Sequence, residues 1–122
     1  MTLADHLDEM RSTLPGCALV SFGDLRTGVA LRTSAAHPCK QNELEALLAQ
    51  AARGFALADD VAFPEDPLAT SVIVATPEML NIFVRSADCP SDLLCFRCAD
   101  AAAHAPATKA AEKLFSALAE AL

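Results

Sequence analysis

Cys95-Phe96-Arg97-Cys98 has the spacing most suggestive of chemistry in this chain, because a C-x-x-C pair can hold zinc or exchange disulfides. With Cys89 and His104 it would complete a site of three thiolates and one imidazole, so Cys89, Cys95, Cys98 and His104 are the metal candidates. The local context argues against both uses. The pair lies in a strand-length run, and residues three apart on a strand point to opposite faces. A redox pair also wants a helix N-terminus to stabilise its thiolate. Buried, inert thiols are the expectation. His37-Pro38-Cys39 offers a nucleophile beside a base, but adjacent side chains rarely face each other, and no further His, Asp or Asn completes a triad. The acidic stretch Asp59 to Asp66 lacks the alternating oxygen ligands of a calcium loop. None of the 4 glycines forms a phosphate-cradling motif. No enzyme activity and no cofactor are expected.

The remaining composition points to partner binding. The 122 residues fit one domain, residues 1–122, without room for a second core. Apolar residues reach 53 %, yet Trp and Tyr are absent and 6 Phe supply all the aromatic mass. That predicts a core of Leu, Val and Ala with apolar surface left for an interface. The net charge of −7 and 9 scattered basic residues exclude a nucleic-acid partner, which would need clustered Lys and Arg. A positively charged protein surface is the natural counterpart. No stretch approaches the roughly 18–20 apolar residues that span a bilayer, so no membrane span is expected. Asp5, Asp8 and Glu9 near the start are wrong for a secretory signal. The odd count of 5 cysteines (Cys17, Cys39, Cys89, Cys95, Cys98) is not a disulfide framework, and a cytoplasmic location with reduced thiols is expected.

These residues must be carried by elements legible in the apolar period. Leu3, Leu7, Met10 and Leu14 form one helical stripe, with Thr2 and Asp5 at its start and Pro15-Gly16 as its stop. Cys17 to Phe22 is a strand apolar on both faces, hence central, with Cys17, Leu19 and Ser21 on one side and Ala18, Val20 and Phe22 on the other. Val29 to Thr33 returns as a wetter strand near an edge, followed by a connection from Ser34 to Gln41. The next helix is expected to open on an Asn42 cap paired with Glu45 and to end at Gly54. Its large stripe is Leu44, Leu47, Leu48, Ala51 and Phe55. Ala46, Ala49, Ala52 and Ala56 make a second, small-residue stripe that invites a second subunit. Phe55 to Leu68 reads as the longest loop. Thr70 to Thr76, Met79 to Arg85 and Leu93 to Ala99 then read as three strands. A closing helix begins near Pro106, with Ala107, Ala110, Ala111, Leu114, Phe115, Leu118 and Leu122 on its apolar side. The order α-β-β-α-β-β-β-α implies an α+β fold, a five-stranded sheet with helices on both faces.

Leu14-Pro-Gly-Cys-Ala-Leu-Val-Ser-Phe22, Gly28-Val-Ala-Leu-Arg32, Asn42-Glu-Leu-Glu-Ala-Leu-Leu48, Ser71-Val-Ile-Val-Ala75 and Leu80-Asn-Ile-Phe-Val84 together resemble the Roadblock family of dynein light-chain-type domains. This is a profilin-like fold with longin domains as near relatives. The resemblance implies an antiparallel sheet in the order 2-1-5-4-3, with the first and last helices on one face and the middle helix on the other. It implies a non-catalytic homodimer that serves as a scaffold or regulator, with a small GTPase or other signalling protein as partner. The dimer it implies joins the third strand to its copy and packs the middle helices together. Here that maps onto Ala46, Ala49, Ala52, Arg53, Ala56, Ser71, Val72, Ile73 and Val74. A small-molecule sensor domain is the alternative reading, and a zinc or thiol module the third.

Overall fold

At the start of the chain, the Asp5 N–H donates to the Thr2 hydroxyl (3.2 Å) and the Thr2 N–H donates to the Asp5 carboxylate (3.0 Å). This reciprocal cap satisfies two orphan donors and launches the first helix. The computed structural model describes residues 1–120. Its elements are α1 (Leu3–Thr13), β1 (Cys17–Asp24), β2 (Val29–Ala35), α2 (Gln41–Val61), β3 (Ser71–Ala75), β4 (Leu80–Arg85), β5 (Asp92–Cys98) and α3 (His104–Glu120), with a 3-10 turn at Ala101–Ala103 before α3. The strands form one antiparallel sheet in the order β2-β1-β5-β4-β3. Fold class, element order and strand order all agree with the sequence reading. Leu122, assigned to the closing stripe, lies outside the described residues.

Strand alternation divides the core into two layers. Leu7 and Met10 of α1, its C-cap Leu14, and Ala107, Ala111 and Leu114 of α3 meet Val20, Phe22, Ile82, Val84, Leu94, Phe96 and Cys98 on one face. Leu44, Leu47, Leu48, Ala51 and Phe55 of α2 meet Leu19, Phe83, Leu93 and Cys95 on the other. Cys95 and Cys98 therefore sit in opposite layers, as their spacing on a strand dictates.

Three expectations give way to specific contacts. Cys17 does not share a face with Leu19. The β1/β5 register slips between them, with Cys17 opposite Cys98 and Leu19 opposite Arg97, so Ala18 is an extra residue and Cys17 turns toward the α1/α3 layer. β2 also runs on through Ser34, because Arg11 donates to the Ser34 hydroxyl (2.8 Å) and Ser34 donates to Asp8 (2.5 Å), holding that end of the strand against α1.

The largest correction concerns α2. Its N-cap is Lys40, without a side-chain bond, rather than Asn42. The N–H groups of Glu43 and Leu44 bond the Lys40 carbonyl instead (3.0 and 3.2 Å). Gly54 does not end the helix, which continues to Val61, so the first half of the expected loop is its last two turns. Glycine is there for room. A Cβ at Gly54 would come within 2.7 Å of Cγ1 of Val72, so its absence lets α2 lie close on β3. Likewise α3 starts two residues before Pro106, leaving the proline in its first turn where no helical N–H is missed.

Candidate functional site

β3 is hydrogen-bonded on one side alone, to β4, and no described strand pairs with its outer edge. An open edge of this kind is a ready template for another strand. Within β3, Val72 and Val74 pack beneath α2. Ile73 points away from that layer and is 41 % exposed, and the Ser71 hydroxyl lies 3.4 Å from Nε2 of His104 at the start of α3. Ser71, Ile73, His104, Thr108 and Glu112 line a shallow groove of about 690 Å³ along this margin.

On the other face, α2 runs over the same edge strand and presents Ala46, Ala49, Ala52, Arg53 and Ala56 to solvent. Every side chain assigned to the helix part of the docking face is thus exposed in the single chain. Of the strand residues, Ile73 is exposed, while Ser71, Val72 and Val74 are half-buried. The two valines are committed to the α2 layer, so what they leave open at the edge is backbone.

The extension of α2 adds residues that the sequence reading missed. Leu57 (66 % exposed), Val61 (79 %) and Phe63 (69 %) project from its last turns and the segment just after. The signal was present: Arg53, Leu57 and Val61 follow one another at i+4, and no proline interrupts the chain before Pro64. Arg85 anchors this end of the helix. Its guanidinium, 4.3 Å from the Phe55 ring centroid, donates to Asp59 (2.7 Å) and to the Ala69 carbonyl (2.7 Å). One buried cation on β4 thereby fixes both the last turns of α2 and the segment leading into β3.

The metal candidates are not assembled. Cys89 lies exposed in the β4–β5 connection, Cys95 and Cys98 lie in different layers, and His104 sits at the β3 edge. Among the described residues no group of three His, Cys, Asp or Glu side chains converges on one point. Cys39 is held away from thiolate character, first by burial and then by its hydrogen bond to Glu43 (3.3 Å). Burial pushes the Cys95 thiol up to about 12. No described helix is long and apolar enough to cross a membrane.

No protein-family profile matches the sequence, and no curated protein matches it. Solved structures do match the fold. A Roadblock/LC7 domain from Streptomyces avermitilis superposes with a TM-score of 0.64 at 12 % identity, covering 81 % of this chain and 79 % of that one. MglC from Myxococcus xanthus gives 0.56 at 15 %, covering 80 % of each chain. MglB in a tetrameric arrangement gives 0.72 at 19 %, covering 97 % of this chain and 88 % of that one. An antiparallel sheet in the order β2-β1-β5-β4-β3, with two helices on one face and one on the other, is the architecture of a Roadblock/LC7-type domain. This chain has that fold.

Proposed function

We propose that this chain is a homodimeric, non-catalytic scaffold or regulatory adaptor in the cytoplasm whose partner is a small GTPase. The observation that carries the reading is the unpaired β3 edge lying beside an exposed small-residue helix face. Pairing β3 with its copy satisfies the edge's free N–H and C=O groups and continues the sheet across two subunits. Alanines let two helix axes approach to the short end of the usual 8–10 Å spacing. In an antiparallel pair of α2 helices related by a twofold axis near Arg53, Leu57 and Val61 of one copy cover Ala49 and Glu45 of the other. The exposed apolar end of the helix then gains a partner. The GTPase as partner follows from the Roadblock resemblance, and the net charge of −7 favours a basic surface on it. The 5 free thiols suit a reducing compartment.

Sedimentation velocity at micromolar concentration tests the dimer directly, and a monomer there overturns it. Ala49→Glu is the matched variant. An unpaired carboxylate buried at the helix crossing costs about 2 kcal/mol, or roughly thirtyfold in association, while the monomer keeps its helical circular dichroism. Affinity capture from the source cell should retain a GTPase with the dimer and lose it with the variant.

A further inference from the structure

We propose that Cys17 and Cys98 form an oxidation site, a pair of cross-strand thiols that closes to a reversible disulfide when a peroxide-class oxidant is present. They are direct partners in the β1/β5 ladder. The Ala99 N–H donates to the Gly16 carbonyl (2.9 Å), one residue outside the pair on each strand. That bond makes Cys17 and Cys98 a non-hydrogen-bonded pair, the narrow kind, with Cα atoms about 4.5 Å apart. Disulfides span 4.4–6.8 Å between Cα atoms, so a pair of this kind lies within bridging reach. The slip at Ala18 is what creates the pair, since without it Cys17 would face the α2 layer.

The two thiols are unequal in the way an attacking and a resolving cysteine must be. Cys17 is half-buried, whereas Cys98 is fully buried. Hydrogen bonding with Cys98 holds the Cys17 thiol below the ordinary range against the opposing effect of burial, with smaller contributions from the Leu19 backbone and the Arg11 charge. The same bond, together with burial, pushes Cys98 up. Cys17 thiolate attacks one peroxide oxygen, the O–O bond breaks, and Cys17 sulfenic acid and hydroxide result. The Cys98 sulfur then attacks the Cys17 sulfur. The S–S bond forms as the S–O bond breaks, and the Cys98 proton leaves with the departing hydroxide as water. Overall, two thiols and one peroxide give one disulfide and two waters. The cross-link ties the turn after α1 to the turn before α3, leaving the β3 edge and the outer face of α2 free. It is independent of the adaptor reading.

The test oxidises the reduced protein with hydrogen peroxide, alkylates it under denaturing conditions, and maps peptides without reduction. The expected result is loss of two of the 5 alkylatable thiols and a Cys17–Cys98 peptide that dithiothreitol releases. Cys95 should remain a thiol throughout. Oxidation confined to the exposed Cys89 or to Cys39, with Cys17 and Cys98 still alkylated, overturns the proposal. In Cys98→Ala, Cys17 should stop at the sulfenic acid and be trapped by dimedone. Should that variant fail to fold, Cys17→Ser supplies the second arm, in which the peroxide-dependent loss of the Cys98 thiol must vanish. Persistence of that loss in Cys17→Ser also overturns it.

Discussion

The two faces of the sheet solve the same burial problem differently. Under α1 and α3, two helices seal the surface, and Leu7, Val20, Ile82, Val84, Leu94, Ala107 and Ala111 are fully buried. Under α2, one helix covers Phe83, Leu93 and Cys95 while its outer side stays open. A helix sandwiched by a single sheet must divide its residues, Leu44 to Phe55 for cohesion and the alanines for whatever comes next. Burial is thus concentrated on the two-helix face, and the exposed small-residue surface on the one-helix face.

Removing a large side chain from the sealed face should have the largest effect. Phe96 is 1 % exposed amid α1 and α3 contacts, and Phe96→Ala is expected to cost about 3–5 kcal/mol in chemical denaturation. That is a large share of the roughly 5–15 kcal/mol available to a domain. Leu57→Ala, on the open side, should change monomer stability by less than about 0.5 kcal/mol. Similar costs for the two would break the comparison.

Arg85→Ala comes next, because Arg85 joins α2 to the segment before β3 through several groups at once. The Asp59 partner is half-exposed, so the ion pair itself contributes under about 1 kcal/mol. Loss of the charged donor to the Ala69 carbonyl and of the cation over Phe55 brings the expected total to about 2 kcal/mol. Arg85→Lys should recover little, since an ammonium cannot fork between Asp59 and Ala69. Hydrogen exchange in the last turns of α2 should rise in both variants, and protection left unchanged would count against the anchor.

Gly54→Ala sharpens the contrast further, for here helix propensity and packing oppose each other. The added methyl favours the helix by about 1 kcal/mol. It also meets Cγ1 of Val72 at 2.7 Å, and overpacking of that kind costs about 1–3 kcal/mol. A net loss near 1 kcal/mol is expected. Combining it with Val72→Ala should recover more than the separate effects predict, as measured in a double-mutant cycle. Additive losses would mean that α2 is not seated on β3 through this contact.

That glycine also marks how far the sequence could be read. Apolar period, with cap, turn and β-branched residues, gave the order of the helices and strands, because the stripes of α1, α2 and α3 and the alternation of Leu80 to Arg85 each match one periodicity. The alanine face of α2 was legible for the same reason. What failed were places where a local signal and a tertiary contact compete for one residue. Gly54 looks like a helix stop, and only its approach to Val72 reveals it as a spacer. Ala18 carries no mark of a bulge, so the face of Cys17, and with it the pairing to Cys98, was invisible. The exposed apolar side chains of Leu57, Val61 and Phe63 were lost with the false stop.

The smallest effect belongs to the fringe of the sealed face. The Asp5 carboxyl is held below its ordinary value of 3.8, chiefly by accepting the Thr2 backbone N–H and then by the Thr2 hydroxyl. A carboxylate with a lowered folded-state pKa contributes stability that is fully present above its unfolded value and is lost as pH falls through the folded one. Protonation below about pH 4 should therefore fray the first turn of α1, read as faster amide exchange at the start of the helix. Asp5→Asn should show that fraying already at neutral pH and make it insensitive to acid. Leu7 and the strands beneath it should keep their protection in both proteins, because the cap lies outside the packed layer that those residues form. A global loss of protection from this one substitution would mean that the two-helix face is held at its margin rather than by its interior.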